Sequence, residues 1–399
     1  MSSFFDAVPN IQPIDDPIQD EQSFDTIDLT IQAYRNENGE PHVFPIVQQV
    51  KREYAESHCP NYLPILGHEG FRKEATELVL GATSPAIVEK RAMGIQCLSG
   101  TGALRSGAEF LSQVIGLDTV YLCDMSWDNH DRIFKDAGFS SIRKYSYLNV
   151  DKRSINMENL LVDLEQAPEK SVILLHASAH NPTGIDPTRR QWDQIAEVIK
   201  RRNLFTFFDL PEQGLSTAYP YCDTRNIRDF LKLGLEFFVA QSFSRNFGLY
   251  SERVGNLIIV GNDPLLIANI PSQMTLVNVS KFSNPPAYGA CIVHRILSSQ
   301  RRRQRWLREI KNIHLRLREM RGLLVSRLVE LGTPGSWDHL IGQTGLFSSS
   351  GLSVAQIEYL MLHHKVIMFN NGCFSVSGLN TSNLDHVANA IDDTVRTIA

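Results

Sequence analysis

The sequence predicts an α/β fold on a largely parallel central sheet, with a second, smaller α/β unit at the C-terminal end. Three observations predict it. The chain has 399 residues, beyond the roughly 250–300 at which one hydrophobic core stops growing. From about residue 70 to 300, short apolar runs alternate with helical segments, the pattern of a sheet buried on both faces. Polar residues able to hold a ligand follow directly on those runs, where open α/β sheets bind ligands.

In chain order, residues 1–25 are polar and proline-dotted and are expected to form an extended arm. The apolar runs include Thr119–Cys123, Val172–His176, Leu204–Phe208 and Glu236–Ala240, each of the length of a buried strand. Helix-like stretches such as Arg190–Arg201 lie between them. Residues 301–331 predict one long helix, because Ile310, Ile313, Leu317, Met320, Leu324 and Leu328 step by three or four. Its other face is basic from Arg301 to Arg327. A solvated face is the expected reading, and a docking surface for an acidic partner the alternative. Gly332 and Pro334 end the helix. No internal repeat or low-complexity tract is evident.

Composition narrows the function classes. Hydrophobic residues make up 43% and charged residues 21%, as in an average soluble globular protein. A formal net charge of -5 gives no reason to expect nucleic acid or an anionic membrane as partner. No apolar run approaches the ~20 residues of a membrane span. The acidic N-terminus lacks the marks of a signal or transit peptide, so the cytosol is expected. Six cysteines, at 59, 97, 123, 222, 291 and 373, show no CxxC spacing and read as reduced thiols. No metal-ligand spacing stands out.

The chemistry-bearing residues sit after the strands. His176 leads into His180-Asn181-Pro182-Thr183-Gly184, Asp209 ends the next run, and Ser242, Arg245 and Arg253 follow another. Ser99-Gly100-Thr101-Gly102 precedes a helical run, and small residues at a helix start offer N–H groups and hydroxyls to a phosphate. A lone SGTG is mostly a turn, and an Asp at a strand end usually a cap. The joint pattern is more specific than either part.

These residues resemble the cytosolic aspartate aminotransferases, class I members of fold type I of the pyridoxal-phosphate enzymes. The resemblance covers essentially the whole chain and is clearest in NYLPILG (61–67), SGTGALR (99–105), WDNH (127–130), LLHASAHNPTGIDPT (174–188), AQSFSRNFGLYSERVGNL (240–257) and SNPPAYGA (283–290). It implies a large domain with a mostly parallel seven-stranded sheet, residues 46–311, and a small domain formed by 16–45 with 312–399. It also implies an N-terminal arm, residues 1–15, and a dimer. Ser99, Gly100, Thr101, Ser242 and Arg253 match the family's phosphate-cradling positions, and Arg253 suits a phosphate through its planar fork. Tyr62 matches a tyrosine that reaches the partner's cofactor. Trp127 matches the ring-stacking aromatic and Asn181 a donor to the cofactor's phenolic oxygen. Asp209 matches the carboxylate that keeps the pyridine nitrogen protonated, and His130 its supporting partner.

The catalytic positions depart from the pattern. The family motif Ser-Lys-Asn-Phe-Gly reads Ser244-Arg245-Asn246-Phe247-Gly248 here. The lysine must condense with the cofactor aldehyde and then move a proton, so it needs a neutral amine. A guanidinium holds its proton with a pKa above ~12, leaving roughly one part in a hundred thousand or less neutral at pH 7. Cys373 stands where the family has the arginine for the substrate α-carboxylate, and Val279 where a second arginine reaches across the dimer. Losing such a charge pair costs about 2–5 kcal/mol each. Glu212 replaces the tyrosine donor to the phenolic oxygen, and a pairing of Glu212 with Arg245 is expected. Gln32 replaces a substrate-covering glycine, so a side chain is expected to intrude there. Lys281 reads as a solvated surface lysine, with a cation lent across the dimer as alternative. Cys373 reads as inert, with a reactive thiol as alternative.

The sequence thus predicts a pseudoenzyme: a binding protein for pyridoxal phosphate, or a related phosphate ligand, held without a covalent link. It would dimerise with itself or with an active paralogue. The alternatives are residual aspartate:2-oxoglutarate aminotransferase activity, or an empty pocket in a folded shell.

Overall fold

The computed structural model describes residues 26–56 and 60–398. The expected N-terminal arm, and Cys59, lie outside the described residues. Seven strands form the main sheet: β1 (Ala92–Leu98), β2 (Thr119–Cys123), β3 (Ser141–Tyr145), β4 (Val172–His176), β5 (Phe205–Leu210), β6 (Phe237–Ser242) and β7 (Val254–Val260). Their order is β1-β7-β6-β5-β4-β2-β3. All neighbours pair in parallel except β7, which runs antiparallel to both β1 and β6.

The four expected runs are strands, with β5 and β6 each shifted one residue onward and extended to Leu210 and Ser242. Ser141-Ile-Arg-Lys-Tyr145 is a strand that apolar-run reading passes over. It lies at the sheet edge, where Arg143 and Lys144 face water and discourage further pairing. Strands β4, β6 and β7 are buried along their whole length. Successive side chains alternate between two cores. Tyr121, Ile173, Phe208, Val239 and Ile258 fill one face, and Val120, Leu122, Phe207, Phe238 and Leu257 the other. Helices α1 (Ser99–Glu109), α2 (Asn129–Ala137) and α3 (Ile270–Val279) lie on that second side.

The long helix α4 (Gln300–Glu330) buries all six of its expected apolar positions and, in addition, Trp306 and Arg321. Trp306 stacks on Phe247 at 4.7 Å between centroids and donates from Nε1 to the Asn246 carbonyl at 2.7 Å. It thereby fastens the helix to the turn that carries Arg245. The basic face is less uniformly solvated than expected. Arg301, Arg303, Arg308, Lys311 and Arg318 are exposed, but Arg302 pairs with Glu53 and Arg316 with Glu37. Arg321 is buried because its guanidinium donates to the Gly345 and Phe347 carbonyls and to Ser348 Oγ. Gly332, with φ of +66°, follows the helix end.

A smaller group of elements packs on α4. Ile27–Asp28 pairs in parallel with Val366–Ile367. Strand β8 (Phe347–Ser349) pairs antiparallel with β9 (Cys373–Ser375), and helix Leu384–Thr397 lies against α4. Among the described residues no helix is long and apolar enough to cross a membrane.

Trp306 tests this packing. It is fully buried, so Trp306→Ala is expected to lower the unfolding free energy by about 3–5 kcal/mol in a denaturant titration. A loss under about 1 kcal/mol would show that the site collapses around the missing ring.

Candidate functional site: the carboxyl edge of the sheet

One corner of the site is built for an anion. Strand β1 ends at Leu98, and Ser99, with φ of +66°, opens helix α1. Ser99 N–H donates to the Arg253 carbonyl at 3.1 Å. Two glycines permit this close approach: a Cβ on Gly255 would collide with the Ser99 backbone, and one on Gly100 would lie 3.1 Å from Ser242 Cβ. As a result Ser99 Oγ lies 3.1 Å from Ser244 Oγ and 3.5 Å from Ser242 Oγ. Three hydroxyls therefore converge at the N-terminus of an 11-residue helix, whose unpaired N–H groups and dipole favour negative charge. Thr101 sits in that first turn. Arg253 presents an exposed side chain beside it, with Nη1 donating to the Tyr250 carbonyl at 3.0 Å.

A buried carboxylate lies deeper, at the end of β5. His130, on α2, places Nε2 3.1 Å from Asp209 Oδ2, and its Nδ1 is 2.6 Å from Ser126 Oγ. His176 Nε2 lies 3.6 Å from the same Asp209 oxygen. Burial pushes the Asp209 carboxyl upward, but the His130 hydrogen bond and the field of His176, His130 and Arg245 outweigh it. The carboxyl therefore sits below its ordinary range and is ionised at neutral pH. Burial holds His176 down at about 4, against the pull of Asp209, and holds His180 well below its ordinary value, with His176 adding to the effect. Trp127 meets His130 edge-on at 5.4 Å. Asn181 is buried in the loop after β4, which Asp186 holds by accepting from the Ala179 and His180 N–H groups.

No metal-ligand group was expected from spacing, yet His130, His176 and Asp209 bring ligand atoms within 4.8 Å of one another. The three come from separate segments, which is why spacing does not reveal them. Both His130 nitrogens already have hydrogen-bond partners, so the group reads as support for Asp209.

The expected pairing of Glu212 with Arg245 is present. Arg245 Nη1 donates to Glu212 Oε1 at 2.7 Å, and both side chains are buried. Arg245 Nε donates to the Gln32 carbonyl at 3.1 Å. Glu212 Oε2 accepts from the Leu346 N–H at 2.8 Å. Burial raises the Glu212 carboxyl, while Arg245, the Leu346 amide and Arg321 oppose that rise. Arg245, which the resemblance matches to the family lysine, is thus a cation whose donors are directed at a carboxylate and a backbone carbonyl.

The remaining sequence-predicted positions differ in burial. Cys373 is fully buried on β9, and burial pushes its thiol up to about 12, so it is not a reactive thiolate at neutral pH. Gln32 is exposed, and its contact with Arg245 is through its backbone carbonyl. Val279 ends α3 half-exposed, and Tyr62 is 89% exposed. Lys281 is not the solvated surface lysine expected. Its Nζ is 2.7 Å from Glu109 Oε2 and 3.1 Å from Ser106 Oγ, so it is partly buried and tied within its own chain.

Arg321, Ser244 and the Leu346 amide joined the site unannounced. An arginine amid basic neighbours, and a backbone N–H, carry no sequence signal of their own.

Comparison with known proteins places the chain in a family. The model of the family described as aminotransferase class I and II matches residues 25–391. The cytoplasmic aspartate aminotransferase of Caenorhabditis elegans is 51% identical over 99% of both chains. That of Gallus gallus is 42% identical over 100% of this chain and 99% of its own. Among solved structures, the aromatic-amino-acid aminotransferase of Burkholderia pseudomallei, covalently bound to pyridoxal phosphate, superposes with a TM-score of 0.95. It is 35% identical and covers 99% of this chain and 100% of its own. The cytoplasmic aspartate aminotransferase of Saccharomyces cerevisiae superposes with a TM-score of 0.92 at 36% identity, over 95% and 94% of the two chains. The chain is an aspartate aminotransferase homologue of fold type I and belongs to the class I and II aminotransferase family.

Proposed function

We propose that this chain is a catalytically silent aspartate aminotransferase homologue that binds pyridoxal phosphate, or a related phosphate ligand, without a covalent bond. One observation carries the reading: the Arg245 guanidinium, bonded to Glu212 and to the Gln32 carbonyl, stands where the family requires a neutral amine. The residues present otherwise suit the cofactor. Ser99, Gly100, Thr101, Ser242 and Arg253 would take its phosphate. Ionised Asp209 would hold the pyridine nitrogen protonated, Trp127 would cover the ring, and Asn181 would donate to its phenolic oxygen. Bound there, the cofactor would supply an electron sink, but the Arg245 guanidinium could neither attack its aldehyde nor take up the substrate proton. Placed proton transfer contributes about 10²–10⁴-fold in rate, and this site lacks it. Buried, uncharged Cys373 and apolar Val279 also leave a dicarboxylic amino acid without its two charge partners.

The reading includes a dimer, with itself or with an active paralogue. The exposed ring of Tyr62 suits a side chain lent to a neighbour. In a mixed dimer this chain would lend Tyr62 but no arginine, and so would weaken the other site. Residues 16–45 with 312–399 would form the small domain and 46–311 the large one. The cytoplasmic relatives support a cytosolic location. Their names also support the second reading, residual aspartate:2-oxoglutarate aminotransferase activity.

Two experiments separate these readings. Titration of the full chain with pyridoxal phosphate is expected to saturate, and borohydride is expected to leave no cofactor attached. A pyridoxyl-modified peptide after reduction would support the enzyme reading instead. The second restores the amine. In Arg245→Lys the new ammonium would still face Glu212 and stay largely protonated. Arg245→Lys with Glu212→Tyr is therefore expected to give more reducible adduct at pH 7 than Arg245→Lys alone. Aspartate kcat/KM in that double variant should remain at least ~10³-fold below a family enzyme assayed alongside, because two charge pairs of about 2–5 kcal/mol each are still missing. Turnover within tenfold of that enzyme would refute the roles given to Cys373 and Val279.

A further inference from the structure

The Glu212–Arg245 pair joins segments that are remote in sequence. Arg245 lies in the short helix Ser244–Phe247 just past β6, and Glu212 lies just past β5. Both therefore belong to the carboxyl edge of the main sheet. Their remaining bonds go elsewhere. Arg245 Nε reaches the Gln32 carbonyl at 3.1 Å, and Glu212 Oε2 takes the Leu346 N–H at 2.8 Å. The guanidinium also lies 5.1 Å from the Phe347 ring centroid. Gly345, with φ of +77°, allows this approach, since a Cβ there would lie 2.8 Å from Glu212 Oε2. Residues 29–33 form no strand or helix. Other bonds tie the ends of that stretch: the Leu29 carbonyl to Ser375 N–H and the Ala33 carbonyl to Ser377 Oγ. Gln32 between them bonds across to Arg245.

We infer that the Glu212–Arg245 ion pair is a staple that fastens the 29–36 segment and the 344–349 segment to the carboxyl edge of the main sheet with no ligand present. Each ion has one bond to its partner and one to a smaller-group backbone atom, so neither segment can lift away without breaking a charge-assisted hydrogen bond. A buried charge left without its partner is strongly unfavourable, so the two ions hold each other in position and with them both segments. The inference requires no cofactor to bind and stands or falls apart from the proposed function.

Hydrogen–deuterium exchange of the full chain, with no ligand added, tests it. Replacing both ions, in Glu212→Leu with Arg245→Met, avoids stranding either charge. In that variant, peptides covering 29–36 and 344–349 are expected to exchange at least ~10-fold faster, while those of β6 and β7 keep their wild-type rates. The single variant Arg245→Lys separates the two arms. Its ammonium still reaches a carboxylate but lacks the Nε donor, so exchange should rise in 29–36 and stay unchanged in 344–349. Unchanged exchange in 29–36 of Arg245→Lys, or in both segments of a folded double variant, would overturn the staple.

Discussion

A guanidinium cannot readily give up its proton, and in this molecule one is buried at the carboxyl edge of the main sheet, bonded to Glu212. The structure shows how the fold accommodates it. Glu212 turns one carboxylate oxygen to Arg245 and the other to the Leu346 N–H. Gln32 supplies a carbonyl, and Gly345 leaves room for the pair. Glu212 and Arg245 are one feature in physical terms, because a buried cation and a buried carboxylate are each costly alone and tolerable together.

The rest of the site is positioned by the sheet. The serine cluster at the start of α1, and Asp209 with its histidines, are set by the sheet register: β7 runs back between β1 and β6, which brings Ser99, Ser242 and Arg253 to one corner. The positions that the resemblance matches to the family's substrate arginines are a buried cysteine, Cys373, and a half-exposed valine, Val279. On the proposed reading this site keeps phosphate and ring recognition and lacks the chemistry of amine transfer. That division supports a binding role over a turnover role.

Much of this was legible in the sequence, for identifiable reasons. Strands buried on both faces leave continuous apolar runs, and the step of three or four along α4 exposes its buried stripe. The Glu212–Arg245 pair could be anticipated because the resemblance puts two unlike charges at neighbouring positions of the site. Other features had no such signature. The edge strand Ser141–Tyr145 is too polar to stand out, and Arg321 looks like its solvated neighbours although it is buried against backbone carbonyls. Lys281 reads as a surface residue because its partners Glu109 and Ser106 lie some 170 positions earlier. The grouping of His130, His176 and Asp209 exists only once three segments have been folded together.

The central claim concerns a bond that should not exist. A crystal structure of the protein soaked with pyridoxal phosphate tests it most directly. The account predicts density for an intact aldehyde separate from every side-chain nitrogen, with Arg245 still bonded to Glu212. Continuous density from the cofactor's aldehyde carbon to any amino group of the protein would contradict it.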